Sequence, residues 1–195
     1  MTDPHTGRTT GLAKTVRRAL KAMESARTPY CVIGATALAV RGFPRMTRDL
    51  DLVVLQEDEE QAVAALLKAR FQQATPSGDE PMIIFVDPGT GVEVDLLIAS
   101  GDPEATVIRE ARRAKTFGVS APVAGLEHLL LMYLYSNQPR HLGDFASIVQ
   151  SGKADLKKAA RLLADTHPEM LKQWHRRVAA VTSPRRAPKR PRPSS

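Results

Sequence analysis

Two aspartates one residue apart open an apolar run in Arg45-Met46-Thr47-Arg48-Asp49-Leu50-Asp51-Leu52-Val53-Val54. In a strand, residues i and i+2 share a face. Asp49 and Asp51 then project side by side, with Leu50 and Leu52 on the opposite face. Adjacent like charges on a sheet repel each other unless a cation stands between them. Mg²⁺ takes oxygen ligands and is commonly held by one or two carboxylates together with substrate phosphates. The pair is therefore a candidate metal site for phosphoryl-transfer chemistry. The bland alternative is two edge-strand aspartates facing water.

A third carboxylate strengthens the metal reading. Val92-Glu93-Val94-Asp95-Leu96-Leu97-Ile98 is a second strand-like run with Asp95 set among apolar neighbours. An aspartate in such a run needs a partner. If the two strands lie side by side, Asp95 joins Asp49 and Asp51. Three carboxylates can hold two metal ions about 3.5–4 Å apart, the arrangement used for in-line displacement at phosphorus. Glu93 shares the parity of Asp95 and is the weaker ligand candidate.

The segment just upstream offers a place for phosphate. Tyr30-Cys31-Val32-Ile33 reads as a short buried strand, Gly34 follows, and Ala35-Thr36-Ala37-Leu38-Ala39-Val40-Arg41 reads as a helix stopped by Gly42 and Pro44. Glycine lets the backbone approach an anion, and the first helical N–H groups are free to donate. Strand, glycine and helix are common in α/β turns; nearness to the carboxylate strand gives this one its interest. Arg45 and Arg48 could steer a triphosphate. Arg45 could instead pair with a carboxylate, and Arg48 could face solvent.

Ile33-Gly34-Ala35-Thr36-Ala37-Leu38, Gly42 and Arg45-x-Thr47-x-Asp49-Leu50-Asp51 together resemble the DNA polymerase β-type nucleotidyltransferase superfamily. Within it, the pattern is most similar to the AbiEii/AbiGii-type toxin nucleotidyltransferases, which include the MenT-like toxins. The resemblance spans residues 30–149. Gly125-Leu126-Glu127-His128-Leu129 is similar to the family helix that opens Glu-Asp-Leu. Arg140-His141-Leu142-Gly143-Asp144-Phe145 is similar to its later Arg-Asp/Lys-Leu-x-Asp segment.

The resemblance implies a nucleotidyltransferase-type α+β fold: a mixed β-sheet flanked by helices, followed by a C-terminal helical bundle. It implies transfer of NMP from an NTP to an acceptor hydroxyl, with Mg²⁺ or Mn²⁺ on Asp49, Asp51 and Asp95. Gly34, Ala35, Arg45, Thr47, Arg48, Arg140 and Asp144 would contact the nucleotide. In the toxin branch the acceptor is the tRNA 3′ end, and a cognate antitoxin is the expected protein partner. An enzyme adding AMP to a protein hydroxyl would keep the same metal site. Two departures favour a different class, a non-catalytic module that binds nucleotide or a partner. Ala35 stands where the family has a serine, and the family's helix lysine, expected near Tyr133, is absent. The retained Asp49, Asp51 and Asp95 argue the other way.

Composition sets the frame. The 195 residues are 43% hydrophobic, enough for one α/β domain with a helical appendage. The formal charge is +7, but Arg185, Arg186, Lys189, Arg190 and Arg192 lie in the acid-free stretch 183–195, leaving +2 for the rest. That stretch, rich in proline, reads as an extended, disordered basic tail. It could add phosphate contacts to an RNA or simply be a solvated terminus. Cys31 is the single cysteine, which fits a reducing cytosol and a core thiol. No apolar run reaches the length of a membrane span, and residues 1–11 lack the apolar stretch of a signal peptide. A cytoplasmic protein is expected. The five histidines show no zinc-ligand spacing, and no P-loop motif is present.

The elements expected to position the site follow from periodicity. Leu12, Val16, Leu20 and Met23 mark an amphipathic first helix. Strands are expected at 30–33 and 50–54, with helices at 35–41 and 57–69. Met82–Val86 and residues 92–98 form a hairpin across Asp87-Pro88-Gly89-Thr90-Gly91. A helix is expected over 103–114 and a short edge strand over 116–120. Four helices follow, at 126–135, 141–150, 154–165 and 168–181. The predicted units are a catalytic domain at 1–122, a helical subdomain at 123–182 and the tail at 183–195.

Overall fold

A computed structural model describes residues 4–75, 81–101 and 104–183. Most of the expected basic tail lies outside the described residues. The chain runs α1 (Pro4–Ala26), β1 (Cys31–Val32), α2 (Gly34–Val40), β2 (Asp49–Leu55), α3 (Glu59–Lys68), β3 (Gln72–Gln73), β4 (Met82–Val86) and β5 (Glu93–Ala99). It continues with α4 (Glu104–Glu110), β6 (Arg112–Thr116), β7 (Val119–Val123), α5 (Leu126–Leu134), α6 (Pro139–Ser151), α7 (Leu156–Thr166) and α8 (Leu171–Thr182). The fold is α+β, as expected.

The described strands form one mixed sheet in the order β3-β4-β5-β2-β1-β7-β6. β2 runs parallel to β5, and β1 parallel to β7. The other pairs are antiparallel. The alternation in β2 explains its place at the centre. Leu50, Leu52 and Val54 are fully buried on one face. On the other, Val53 is also fully buried, whereas Asp49 and Asp51 are only partly covered. The strand therefore emerges from the core at its N-terminal end, on the aspartate face. The β4–β5 hairpin closes as expected, with Asp87 N–H donating to Val92 O at 2.9 Å and Gly91 N–H to Asp87 O at 2.7 Å.

Two expectations need correction. The helix expected over 103–114 ends at Glu110, and Arg112–Thr116 is a strand. The segment expected as a short edge strand becomes β7, which lies between β1 and β6; β6 takes the edge. Phe117 and Gly118 join the two strands with φ of 45° and 87°, the geometry of a two-residue hairpin turn. An edge strand that carries Arg112, Arg113 and Lys115 resists pairing with another chain, and the same charges hide its strand character.

α1 buries Val16, Ala19, Leu20 and Met23 and packs on α3 and β7. It is also pinned to the β4–β5 turn. Asp87, 1% exposed, accepts from Thr15 Oγ1 at 2.6 Å and pairs with Arg18 at 2.6 Å. Burial pushes the Cys31 thiol up to about 12, consistent with a core thiol. Past β7 the described chain is helical. α6 ends at Gly152, which takes the left-handed φ of 67°. Asp155 caps α7 by accepting from Lys157 and Lys158 N–H. Trp174 of α8 meets Phe145 of α6 edge-on, centroids 5.8 Å apart. Among the described residues, no helix is long and apolar enough to cross a membrane.

Candidate active site

The parallel pairing of β2 with β5 sets Asp51 directly opposite Asp95 and Asp49 opposite Glu93. The side-by-side arrangement expected from the sequence is thus present at the Asp51–Asp95 register. Glu93 is exposed. Asp49 accepts a short hydrogen bond from Thr47 Oγ1, so that hydroxyl serves to orient a carboxylate.

Burial, followed by the neighbouring Asp49 charge, pushes the Asp51 carboxyl up to about 6. Asp95 is likewise raised to about 6, first by burial and then by Asp51, Asp49 and Glu93. The Arg140 charge opposes both shifts, and Arg45 opposes that of Asp51. Arg140 is exposed, and its Nε donates to Gln138 Oε1 at 2.8 Å.

Gly34 locks Asp51 in place. Its φ is +59°, and a Cβ there would overlap Asp51 Oδ2 and stand 2.5 Å from Asp51 Cγ. The next amide, Ala35 N–H, donates to the Asp51 carboxylate. That donor was expected to serve a phosphate; here it holds a carboxylate. β1 is tied to the same strand by Ile33 N–H donating to Asp51 O at 3.1 Å.

The helical half supplies the other wall. Arg45 Nε meets Asp144 Oδ2 at 3.0 Å across 99 residues of chain. These two residues, both expected as nucleotide contacts, engage each other. Arg45 also donates to Met46 O at 3.3 Å. Tyr133 stands where the resemblance leads one to expect a lysine. Its ring stacks on His141 with centroids 4.9 Å apart, and Arg45 lies within its electrostatic reach. His141 Nδ1 pairs with Ser136 Oγ at 2.7 Å. The Arg45–Tyr133–His141 grouping had no signal in the sequence, because a helix tyrosine reads as core. Arg48 is exposed, with no partner among the described residues.

The donor set fits a hard divalent cation. It offers carboxylate oxygens only, its members repel one another, and Asp95 Oδ1 is buried without a hydrogen-bond partner among the described residues. No described group of three or more His, Cys, Asp or Glu forms a ready-made metal cage. Mg²⁺ sites rarely have one, since water and substrate phosphate complete the shell.

No family model matches the chain, and no curated protein matches it. Solved structures do. The chain is similar to the antibiotic-resistance factor ANT(2'')-Ia in solution, with a TM-score of 0.61 at 17% identity over 86% of this chain and 97% of that one. A crystal structure of ANT(2'')-Ia with adenylyl-2''-tobramycin gives 0.51 at 17% identity, covering 87% and 96%. The lincosamide antibiotic adenylyltransferase LnuA, lincomycin-bound, gives 0.51 at 11%, covering 69% and 94%. At such identities the likeness is one of architecture: the chain has the nucleotidyltransferase fold.

Proposed function

We propose that this chain is a divalent-metal-dependent nucleotidyltransferase that moves NMP from an NTP to a hydroxyl and releases pyrophosphate. The observation carrying the reading is the Asp51–Asp95 register on parallel strands, with Gly34 packed against Asp51. Asp49, Asp51 and Asp95 would hold Mg²⁺ or Mn²⁺, which when bound neutralises charge on the triphosphate and on the leaving pyrophosphate. Asp95 would either complete the metal site with Asp49 and Asp51 or, left unligated with its carboxyl near 6, take the acceptor's proton. As the acceptor oxygen bonds to the α-phosphorus, the bond to the β-phosphate oxygen breaks, and pyrophosphate carries that electron pair away. Arg140 and Arg45 bring positive charge toward the carboxylates and would offset phosphate charge. Thr47 and Ala35 N–H fix the carboxylates, so the chain's main contribution is positioning and electrostatics.

For the acceptor, the resemblance of Arg45-x-Thr47-x-Asp49-x-Asp51 and its flanking segments to the toxin nucleotidyltransferases implies the tRNA 3′ end, with the protein acting as the toxin of a toxin–antitoxin pair. A small hydroxylated compound is the second reading. It is favoured by structural likeness over nearly the whole length of ANT(2'')-Ia, a protein seen with adenylyl-2''-tobramycin. The test supplies each labelled NTP with Mg²⁺ or Mn²⁺ to total tRNA, to a hydroxylated-antibiotic panel and to protein alone. Label in RNA supports the first acceptor and label in the panel the second. Equal transfer by wild type, Asp49→Ala and Asp51→Ala overturns the site, and no transfer to any acceptor overturns the reaction.

A further inference from the structure

The far end of α2 opens on a second cleft, of about 350 Å³. At 1.5 Å per residue, the seven residues of α2 set its ends about 10 Å apart. Gly34 lies against Asp51 at one end, and Arg41 follows the other. Separate elements wall the cleft: Arg41, Arg112 at the start of β6, Lys153 between α6 and α7, and the first turn of α5.

The acids in this cleft are already engaged, and the cations are less so. Glu110 takes Lys158 Nζ at 2.7 Å, and Glu127 accepts from Asp155 N–H at 2.9 Å. Arg112 is exposed and, among the described residues, has no partner. Lys153 Nζ sits 4.9 Å from the Phe43 ring centroid. Arg41 gives Nε to Ala124 O at 2.8 Å and Nη2 to Val123 O at 2.7 Å, which fixes its guanidinium at the rim. The four lining cations exceed the two acids by two charges. Gly125 precedes α5 with no side-chain cap among the described residues, so the first-turn N–H groups add positive potential.

An independent feature points to a ligand. His128 lines the same cleft and is only 3% exposed. Neither of its ring nitrogens makes a hydrogen bond among the described residues. The Glu110 carboxylate is 3.6 Å from Nε2, too far to satisfy it. Leaving a buried polar group unmatched is unfavourable, and an acceptor bound in the cleft would remove that cost. Burial holds the His128 ring below its ordinary pKa, with Glu110 and Glu127 raising it and Lys158 lowering it.

We propose that this cleft is a second ligand site for a phosphomonoester or inorganic phosphate dianion, held by Arg112, Lys153 and the first turn of α5, with His128 donating from the buried side. A dianion matches the excess of two positive charges, and phosphomonoesters approach that charge at neutral pH. A phosphodiester carries only one charge and lacks the terminal oxygens that could face Arg112 and Lys153 together.

The test uses the full chain without added metal and follows the His128 ring by NMR. Inorganic phosphate, ribose 5-phosphate and a short RNA with a 5′-hydroxyl are titrated in turn. The His128 resonance is expected to move with phosphate and ribose 5-phosphate and to titrate at higher pH when they are bound. Arg112→Glu with Lys153→Glu, both at exposed side chains, should keep the thermal midpoint and weaken phosphate at least about tenfold. Asp51→Asn should leave that affinity unchanged. A His128 signal unmoved by millimolar phosphate overturns the proposal. So does phosphate affinity that survives the double charge reversal, or equal binding of the RNA lacking a terminal phosphate.

Discussion

Gly34→Ala separates backbone strain from disruption of the carboxylate site. Two costs are built into it. The φ of +59° lies in the left-handed region, where a Cβ costs about 1–2 kcal/mol. In addition, the new methyl carbon would occupy the space of the Asp51 carboxylate, so Asp51 must rotate away from Ala35 N–H and from Asp95. Gly91 provides the control. Its φ is +68°, and a Cβ there meets nothing within 4 Å. Gly91→Ala should therefore carry the backbone cost alone. For a chain of this size, about 1–2 kcal/mol lowers the thermal midpoint by roughly 2–8 °C. Both variants should show that loss. Only Gly34→Ala should also weaken Mn²⁺ binding, followed by electron paramagnetic resonance, and slow NMP transfer by about a hundredfold, the usual cost of a misplacement near 1 Å. Wild-type Mn²⁺ affinity and transfer rate in Gly34→Ala would refute the claim that Asp51 is held by this close approach.

Further outcomes follow from the charges. Asp51 and Asp95 keep protons up to about pH 6 in the fold, against 3.8 for the free group. Between those values the folded state binds more protons than the unfolded chain, so stability falls as pH rises through the window and stays lower above it. Thermal midpoints measured without metal should decline from mildly acidic to neutral pH. Asp51→Asn should flatten that decline, and Mg²⁺ should raise the midpoint at neutral pH but not at acidic pH; a flat wild-type profile would refute the repulsion. Asp87→Ala removes the acceptor shared by Thr15 and Arg18. It should cost about 2–3 kcal/mol in urea unfolding while leaving Mn²⁺ binding intact; a smaller loss would mean that α1 does not depend on this anchor.

The parts of the fold legible in the sequence were those in which side-chain period and backbone partner agree. Asp49-Leu50-Asp51-Leu52 and Glu93-Val94-Asp95-Leu96 each alternate polar with apolar, so both faces of β2 and β5 could be assigned, and pairing them in register was the simplest way to join the carboxylates. Gly34 was legible because a glycine between strand and helix signals close approach, although what approaches is Asp51. β6 was not legible. Arg112, Arg113 and Lys115 gave neither strand alternation nor a helix stop, and the preceding helical pattern ran straight into them. The turn that defines the hairpin, Phe117-Gly118, was the available signal, since glycine with its neighbour at positive φ marks a two-residue connection. The Arg45–Asp144 pair joins residues 99 positions apart, and only tertiary packing decides that they meet. Expecting each separately on the nucleotide had no means of excluding their pairing.

The position of the carboxylates within their strands accounts for what the site can do. Two residues further along β2, Val53 is fully buried on the same face, and an aspartate there would face burial without relief. Two residues earlier, Asp49 borders the loop that brings in Thr47 and Arg45. Asp51 stands at the transition, covered enough for its carboxyl to rise to about 6 and still only partly buried. At that depth burial and the neighbouring carboxylates raise both Asp51 and Asp95 to about 6, so protons relieve the repulsion in mild acid. Moving the pair by Leu50→Asp with Asp51→Leu would turn the carboxylate into the fully buried face of Leu50 and Leu52. The parity of β2 therefore links the core to the chemistry, since one register step would exchange them.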